Sequence, residues 1–293
     1  MPPDDTFVLA GTFLGDVKMF NLKTGLEESS YNCHDSQVTH LEVNRDGSLL
    51  LTSSAWRTPY SRLWSMGEFF ETKLTFKDDD HVEFSKVSQD KIIATQSSCA
   101  SIYDIQTGVK ILDLKPNISN DYAKNRATFD PSDELVLNDG VLFDTRSGRE
   151  IKKLDKLNQN LNGVFHPNGL EIISNSEVWD IRTFHLIRTV PGLDQCQVKF
   201  SNNGDIIYGI VLEEETEDGE KYDSAFKTFD ARDYSSISKF EGLSISYVNS
   251  TSTFSFVSNL LGNWIFYWQN WQIKAFFRRM SRFIFKAFRR QLS

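Results

Sequence analysis

Cysteine is scarce: Cys33, Cys99 and Cys196 lie far apart, with no C-x-x-C pair and no histidine at ligand spacing. This argues against a zinc site or a disulfide framework and fits a reducing compartment. G-x-S-x-G, H-E-x-x-H and P-loop patterns are also missing. The five histidines, His34, His40, His81, His166 and His185, fall in different repeat units, so no shared catalytic or metal site is expected. No catalytic residue, cofactor site or metal site is therefore assigned. Met1–Thr6 lacks a basic segment followed by an apolar run, so no secretory signal is expected.

Before Glu241 no stretch sustains helical periodicity, which points to an all-β class. Beyond Glu241 there is no acidic residue at all. The segment to Glu241, with 25 basic and 40 acidic residues, carries a net −15, and the remainder carries +7. That break divides the chain into 7–241 and a divergent basic, aromatic tail, 242–293. The acidic portion lacks the clustered Lys and Arg that phosphate binding needs, so no direct nucleic-acid contact is expected.

What the chain does have is a period. Aromatic residues that end an aliphatic or polar strand and precede Asn, Asp or Ser occur at Phe20, Trp64, Tyr103, Phe143, Trp179 and Phe229. Their spacings of 44, 39, 40, 36 and 50 residues bracket the repeat of a four-stranded propeller blade. Each unit reads as strand, turn, buried strand, landing strand: Gln37–Val43, Arg45-Asp46-Gly47, Leu49-Leu50-Leu51 and Leu63-Trp64 in one copy. Short turns such as Lys23-Thr24-Gly25, Gln106-Thr107-Gly108 and Arg146-Ser147-Gly148 follow the landing strands. The acidic run Glu213–Glu220 cannot bury itself and reads as a solvated insertion. The expected fold is a WD-repeat β-propeller, incomplete at about five to six blades, because the first landing has no inner strand before it.

Two landings close on the same phrase, Phe143-Asp144-Thr145-Arg146 and Trp179-Asp180-Ile181-Arg182. In the plainer reading the aspartates bond within their own blades and the arginines are simply solvated. The doubling favours a second reading, in which Arg146 and Arg182 emerge on one rim and engage a single partner. Arginine suits that task, because its planar fork binds carboxylates and carbonyls with fixed geometry.

The two phrases resemble the "WDxR" docking box of substrate receptors of cullin-RING ubiquitin ligases. Longer strings resemble the Vpr-binding protein family, also called mahjong: Ser30–His34, Arg45–Ser53, Ile102–Gly108, Leu135–Leu142, Gly163–Glu171 and Trp179–Leu186. The likeness runs from about Val8 to about Ser238. It implies a non-catalytic substrate receptor of a cullin-4 RING E3 ligase, in the nucleus and also the cytoplasm, that docks on the damaged-DNA-binding adaptor and presents proteins for ubiquitination. Carried over by position, Arg146 and Arg182 are adaptor contacts and Asp144 and Asp180 support them. Phe143 departs from the tryptophan usual in the box. The family's long helical N-terminal region and its closing blade have no counterpart, as in a fragment or alternative product.

In the tail, Ile273, Phe276, Phe277, Met280, Phe283, Ile284, Ala287 and Phe288 recur at helical spacing opposite a basic face. An amphipathic helix is expected from about residue 264, able to lie on an anionic membrane or fill a partner's groove. The plainer reading of the tail is an alternative or aberrant C-terminus whose pattern has no selected function; a membrane-surface or generic WD-repeat scaffold acting through it is the alternative function.

Overall fold

The second strand of each repeat decides the architecture. In Leu49–Ser54, Lys91–Gln96, Leu135–Asn138 and Glu171–Ser174 successive side chains are buried whichever way they point. A strand alternates its side chains between two faces, so such a strand must be covered on both sides. The computed structural model describes residues 7–67, 70–155, 161–201, 203–211, 226–240, 253–254 and 264–269. It resolves the problem by stacking six sheets as blades of a β-propeller.

Blade one contains β1 (Phe7–Thr12), β2 (Asp16–Asn21) and β3 (Glu27–Asn32). Blade two is β4 (Val38–Val43), β5 (Leu49–Ser54), β6 (Ser61–Met66) and β7 (Phe70–Phe76). Blade three is β8 (His81–Phe84), β9 (Lys91–Gln96), β10 (Cys99–Asp104) and β11 (Lys110–Leu114). Blade four is β12 (Thr128–Phe129), β13 (Leu135–Asn138), β14 (Val141–Asp144) and β15 (Glu150–Lys153). Blade five is β16 (Val164–Phe165), β17 (Glu171–Ser174), β18 (Glu177–Asp180) and β19 (Leu186–Thr189). Blade six is β20 (Cys196–Phe200), β21 (Ile206–Val211), β22 (Phe226–Asp230) and β23 (Ser236–Phe240). Two further strands, β24 (Thr253–Phe254) and β25 (Trp264–Gln269), join blade one in the order β24-β25-β1-β2-β3.

The core is a set of seams between blades. Leu50 packs with Leu9, Val17 and Trp64, while its neighbour Leu51 packs the other way, with Val82, Phe84 and Ile92. Ile93 and Val136 share the next seam with Phe129 and Phe143, and Leu137 and Ile172 share the one after with Phe165. Ile173 and Ile207 meet Phe229 between blades five and six. Outer strands lie in solvent: every residue of β19 is exposed.

A buried polar chain ties blade two together. Trp64 Nε1 donates to Thr52 Oγ1 at 2.9 Å, and His34 Nε2 lies 2.7 Å from the same hydroxyl. His34 is brought there by Gly15, whose carbonyl accepts from the N–H groups of Cys33 and His34. Gly15 has φ +98°, and a Cβ on it would stand 1.8 Å from the His34 carbonyl oxygen, so no other residue fits.

The tail departs from expectation. Trp264–Gln269 is a strand, not the start of a helix, and pairs antiparallel with β1 in the register Leu9↔Tyr267 to Thr12↔Trp264. Trp-Ile-Phe-Tyr-Trp is strongly strand-favouring, and the inner edge of β1 offers backbone groups that need partners. The inner position that blade one lacks in sequence is thereby filled from the far end of the chain. The amphipathic segment from Ile273 and the acidic run Glu213–Glu220 lie outside the described residues, where only the helical spacing and the composition bear on them.

Truncation after residue 252 exposes the inner edge of β1 and should increase self-association relative to the full chain. Light scattering of the truncated and full chains checks this; a truncated chain that stays monodisperse refutes it. A second expectation concerns acid. Burial pushes the His34 imidazole down to about 4. Below the ordinary value of about 6.5 the unfolded chain takes up a proton that the folded chain refuses, so stability falls as pH drops from there toward 4. The slope is at most about 1.4 kcal/mol per pH unit for this one proton. Glu42, pushed from 4.5 up to about 8 by burial, acts with the opposite sign, so its contribution falls as pH rises from about 4.5 toward 8. Thermal unfolding at pH 7 and pH 5 should therefore show a smaller acid-induced drop in His34→Asn than in the parent chain.

Candidate docking rim

Every landing strand carries a β-bulge immediately before its aromatic residue. The register shifts fall between Met19 and Phe20, Leu63 and Trp64, Ile102 and Tyr103, Leu142 and Phe143, Val178 and Trp179, and Thr228 and Phe229. The bulge turns the chain so that the next side chain can cap the following turn. Asp144 Oδ1 accepts from the N–H groups of Arg146 and Ser147 at 3.1 and 2.7 Å and from the Ser147 hydroxyl at 2.7 Å. Asp180 Oδ1 accepts from Arg182 and Thr183, each at 2.8 Å. Asn21, Asp104 and Asp230 do the same in blades one, three and six. Hydrogen bonds from Ser147 hold the Asp144 carboxyl below its ordinary range, and the Thr183 N–H does so for Asp180.

The spacer residue anchors the turn to its own blade. Thr145 N–H donates to the Glu134 carbonyl at 3.0 Å and Ile181 N–H to that of Leu170 at 2.9 Å. Both partners belong to the turn between the first two strands, so Arg146 and Arg182 emerge on the rim those turns define. Their side chains are 84% and 73% exposed. Arg146 Nη2 stands 3.7 Å from Glu134 Oε1 and Arg182 Nη2 3.7 Å from Asp180 Oδ2, too far for hydrogen bonds and worth little in water. The two sequence readings are thus compatible: the aspartates are spent within their turns, and the guanidinium groups stand exposed on the rim.

A third copy, Phe229-Asp230-Ala231-Arg232, sits at the equivalent turn of blade six. It carries the same aromatic-Asp-x-Arg signal, which a search among the landings could have found.

Charge also gathers near the axis, where inner strands converge. The rings of His40 and His81 meet with centroids 4.5 Å apart, although they come from different repeats. Their separation along the sequence is no bar to contact, because equivalent inner positions of successive blades face one channel. Glu83 Oε1 pairs with Lys86 at 2.6 Å and accepts from Thr128 Oγ1 at 2.8 Å. His40 Nε2 lies 3.6 Å from Glu42 Oε2. Burial pushes Glu42 up to about 8, Lys199 down to about 8, and both histidines well down. Among the described residues no cluster of three or more His, Cys, Asp and Glu is placed to hold a metal ion.

Six blades with bulged landing strands, five of them closed by an Asn or Asp cap, define a WD-repeat propeller that presents arginines on consecutive blades. No protein-family model matches the chain. Protein mahjong of Drosophila melanogaster is 49% identical over 235 residues, covering 79% of this chain and 15% of that protein. The DDB1- and CUL4-associated factor homolog 1 of Caenorhabditis elegans is 41% identical over 244 residues, covering 82% of this chain and 14% of its own length. The Arabidopsis thaliana protein of that name is 32% identical over 252 residues, 78% of this chain and 13% of its own. The chain belongs to this family, and it spans about one seventh of the length of these relatives. Among solved structures, the β-propeller domain of Myceliophteria thermophila Cps50 (Swd1) superposes with a TM-score of 0.64 at 14% identity, covering 92% of this chain and 95% of that one. That likeness concerns the fold alone.

If Asp144 acts by fixing its turn, Asp144→Ala should speed amide exchange at Arg146 and Ser147, on the order of tenfold, with the global unfolding midpoint little changed. Asp144→Asn, which keeps an acceptor, should show most of the protection restored. Hydrogen exchange resolved to single residues checks both.

Proposed function

We propose that this propeller is a substrate-receptor element of a cullin-4 RING ubiquitin ligase, docking on the damaged-DNA-binding adaptor through Arg146 and Arg182. The observation that carries the reading is the pair of exposed arginines held at equivalent, capped turns on adjacent blades. Preorganised turns reduce the entropy lost on docking, and each guanidinium offers a fixed fork to carboxylate or carbonyl groups. The names of two relatives, each called a DDB1- and CUL4-associated factor homolog, support the same assignment. In this role the chain performs no chemistry itself: it is a non-catalytic scaffold that holds a protein substrate within reach of the ligase. Nuclear residence, with a cytoplasmic share, follows from that role and is read out by imaging the tagged chain.

Arg146→Ala together with Arg182→Ala should weaken capture of the purified adaptor by well over 30-fold, as expected for the loss of two arginine anchors. The thermal midpoint should stay within about 2 °C, since exposed substitutions away from packing change stability little. Undiminished capture by the double variant overturns the reading.

A further inference from the structure

We infer that Arg232 is a third docking arginine, so that the adaptor's footprint runs over blades four, five and six rather than two blades only. The inference rests on the docking role proposed for Arg146 and Arg182. Three observations carry it.

First, the turn is the same. Asp230 Oδ1 accepts from the Arg232 N–H at 2.8 Å, as Asp180 does from Arg182. Ala231 N–H donates to the Asp205 carbonyl at 2.9 Å, as Ile181 does to Leu170. Arg232 therefore leaves the same rim. The corresponding positions elsewhere are Lys23 on blade one and Gln106 on blade three, so the guanidinium arc begins at blade four.

Second, this turn is fastened to the blade that carries Arg182. The Ala231 carbonyl lies 3.0 Å from His166 Nε2, Tyr234 Oη donates to Glu171 Oε2 at 2.6 Å, and Arg188 Nη1 donates to the Asp233 carbonyl at 3.0 Å. The Arg188 guanidinium also covers the Tyr234 ring at 5.1 Å. Tyr234 stands at φ +64°, where the turns of blades one, three and four have glycine. A bulky residue persists in that left-handed conformation only when its surroundings over-determine it. Arg182 and Arg232 are thus presented by one rigid body.

Third, Arg232 is exposed, and its guanidinium has no ion pair among the described residues, whereas Arg146 and Arg182 each have a carboxylate at 3.7 Å. It offers all its side-chain donors to an incoming carboxylate or carbonyl without giving up an internal partner.

The test measures the affinity of the full chain for the purified adaptor in four forms: parent, Arg232→Ala, Arg232→Lys, and the Arg146→Ala, Arg182→Ala pair. Arg232→Ala should raise Kd about tenfold, with Arg232→Lys intermediate, because lysine keeps the charge and loses the fork. Circular dichroism melts identify any variant that fails to fold, and for such a variant Arg232→Gln replaces alanine. If the pair loses binding while Arg232→Ala and Arg232→Gln stay within twofold of the parent, the third contact is wrong and the docking role stands. If the pair itself binds normally, both fall.

Discussion

A propeller blade cannot be stable alone, because its second strand is apolar on both faces. Leu50 and Leu51, neighbours on β5, bury themselves in different seams, and so do Ile92 and Ile93, Val136 and Leu137, and Ile172 and Ile173. Blades two to five therefore each need a blade on either side, and their stacking in chain order follows from that need. The same constraint explains β25. A first blade without an inner strand leaves the backbone of β1 unpaired, and the aromatic run Trp264–Trp268 supplies the missing ladder.

Seam packing has a consequence for function. Since neighbouring blades share close-packed side chains, the turns at their edges hold fixed positions relative to one another. Crosslinks at the rim tighten this further: the Asp133 carboxylate on blade four accepts from the N–H groups of Lys86 and Val87 on blade three, at 2.6 and 2.8 Å. Arg45 on blade two donates to the carbonyls of the same two residues. Arginines carried on such turns are spaced by the fold, so under the proposed docking role their separation would be read as well as their charge.

The landing residues were legible in the sequence because their determinants are local. An aromatic ending an aliphatic or polar strand and followed by Asn, Asp or Ser marks all six landings, Phe20 to Phe229, and in five of them, Trp64 apart, an Asp or Asn cap and a left-handed residue complete the turn within six positions among the described residues. Determinants that lie far apart were not legible. A short aromatic run such as Trp264–Gln269 fits strand or helix until its partner is known, and here the partner, β1, is at the other end of the chain. The meeting of His40 and His81 depends on two strands converging at the axis, which no spacing reveals. Arg232 follows the Phe229 landing in the same aromatic-Asp-x-Arg phrase as Arg146 and Arg182, so its signal is local too, although the acidic insertion stretches its repeat to 50 residues.

Two sets of charge compete for a functional role, and desolvation separates them. The axial set is already compensated: Glu83 holds Lys86 and Thr128, and the Phe84 N–H donates to Glu42 at 3.3 Å. Burial has moved Glu42 and Lys199 toward their neutral forms. Recruiting these groups to a ligand would break internal hydrogen bonds in a low-dielectric site, and the loss would offset much of the gain. At the rim the division of labour is cleaner. The acid of each Asp-x-Arg phrase is consumed by backbone N–H groups, which fixes the turn, and the base remains solvated, which keeps it available. A partner that meets those arginines removes only water and weak surface pairs, so the contacts it makes translate into affinity with little internal cost. The phrase works as a unit because its two charged residues do different things.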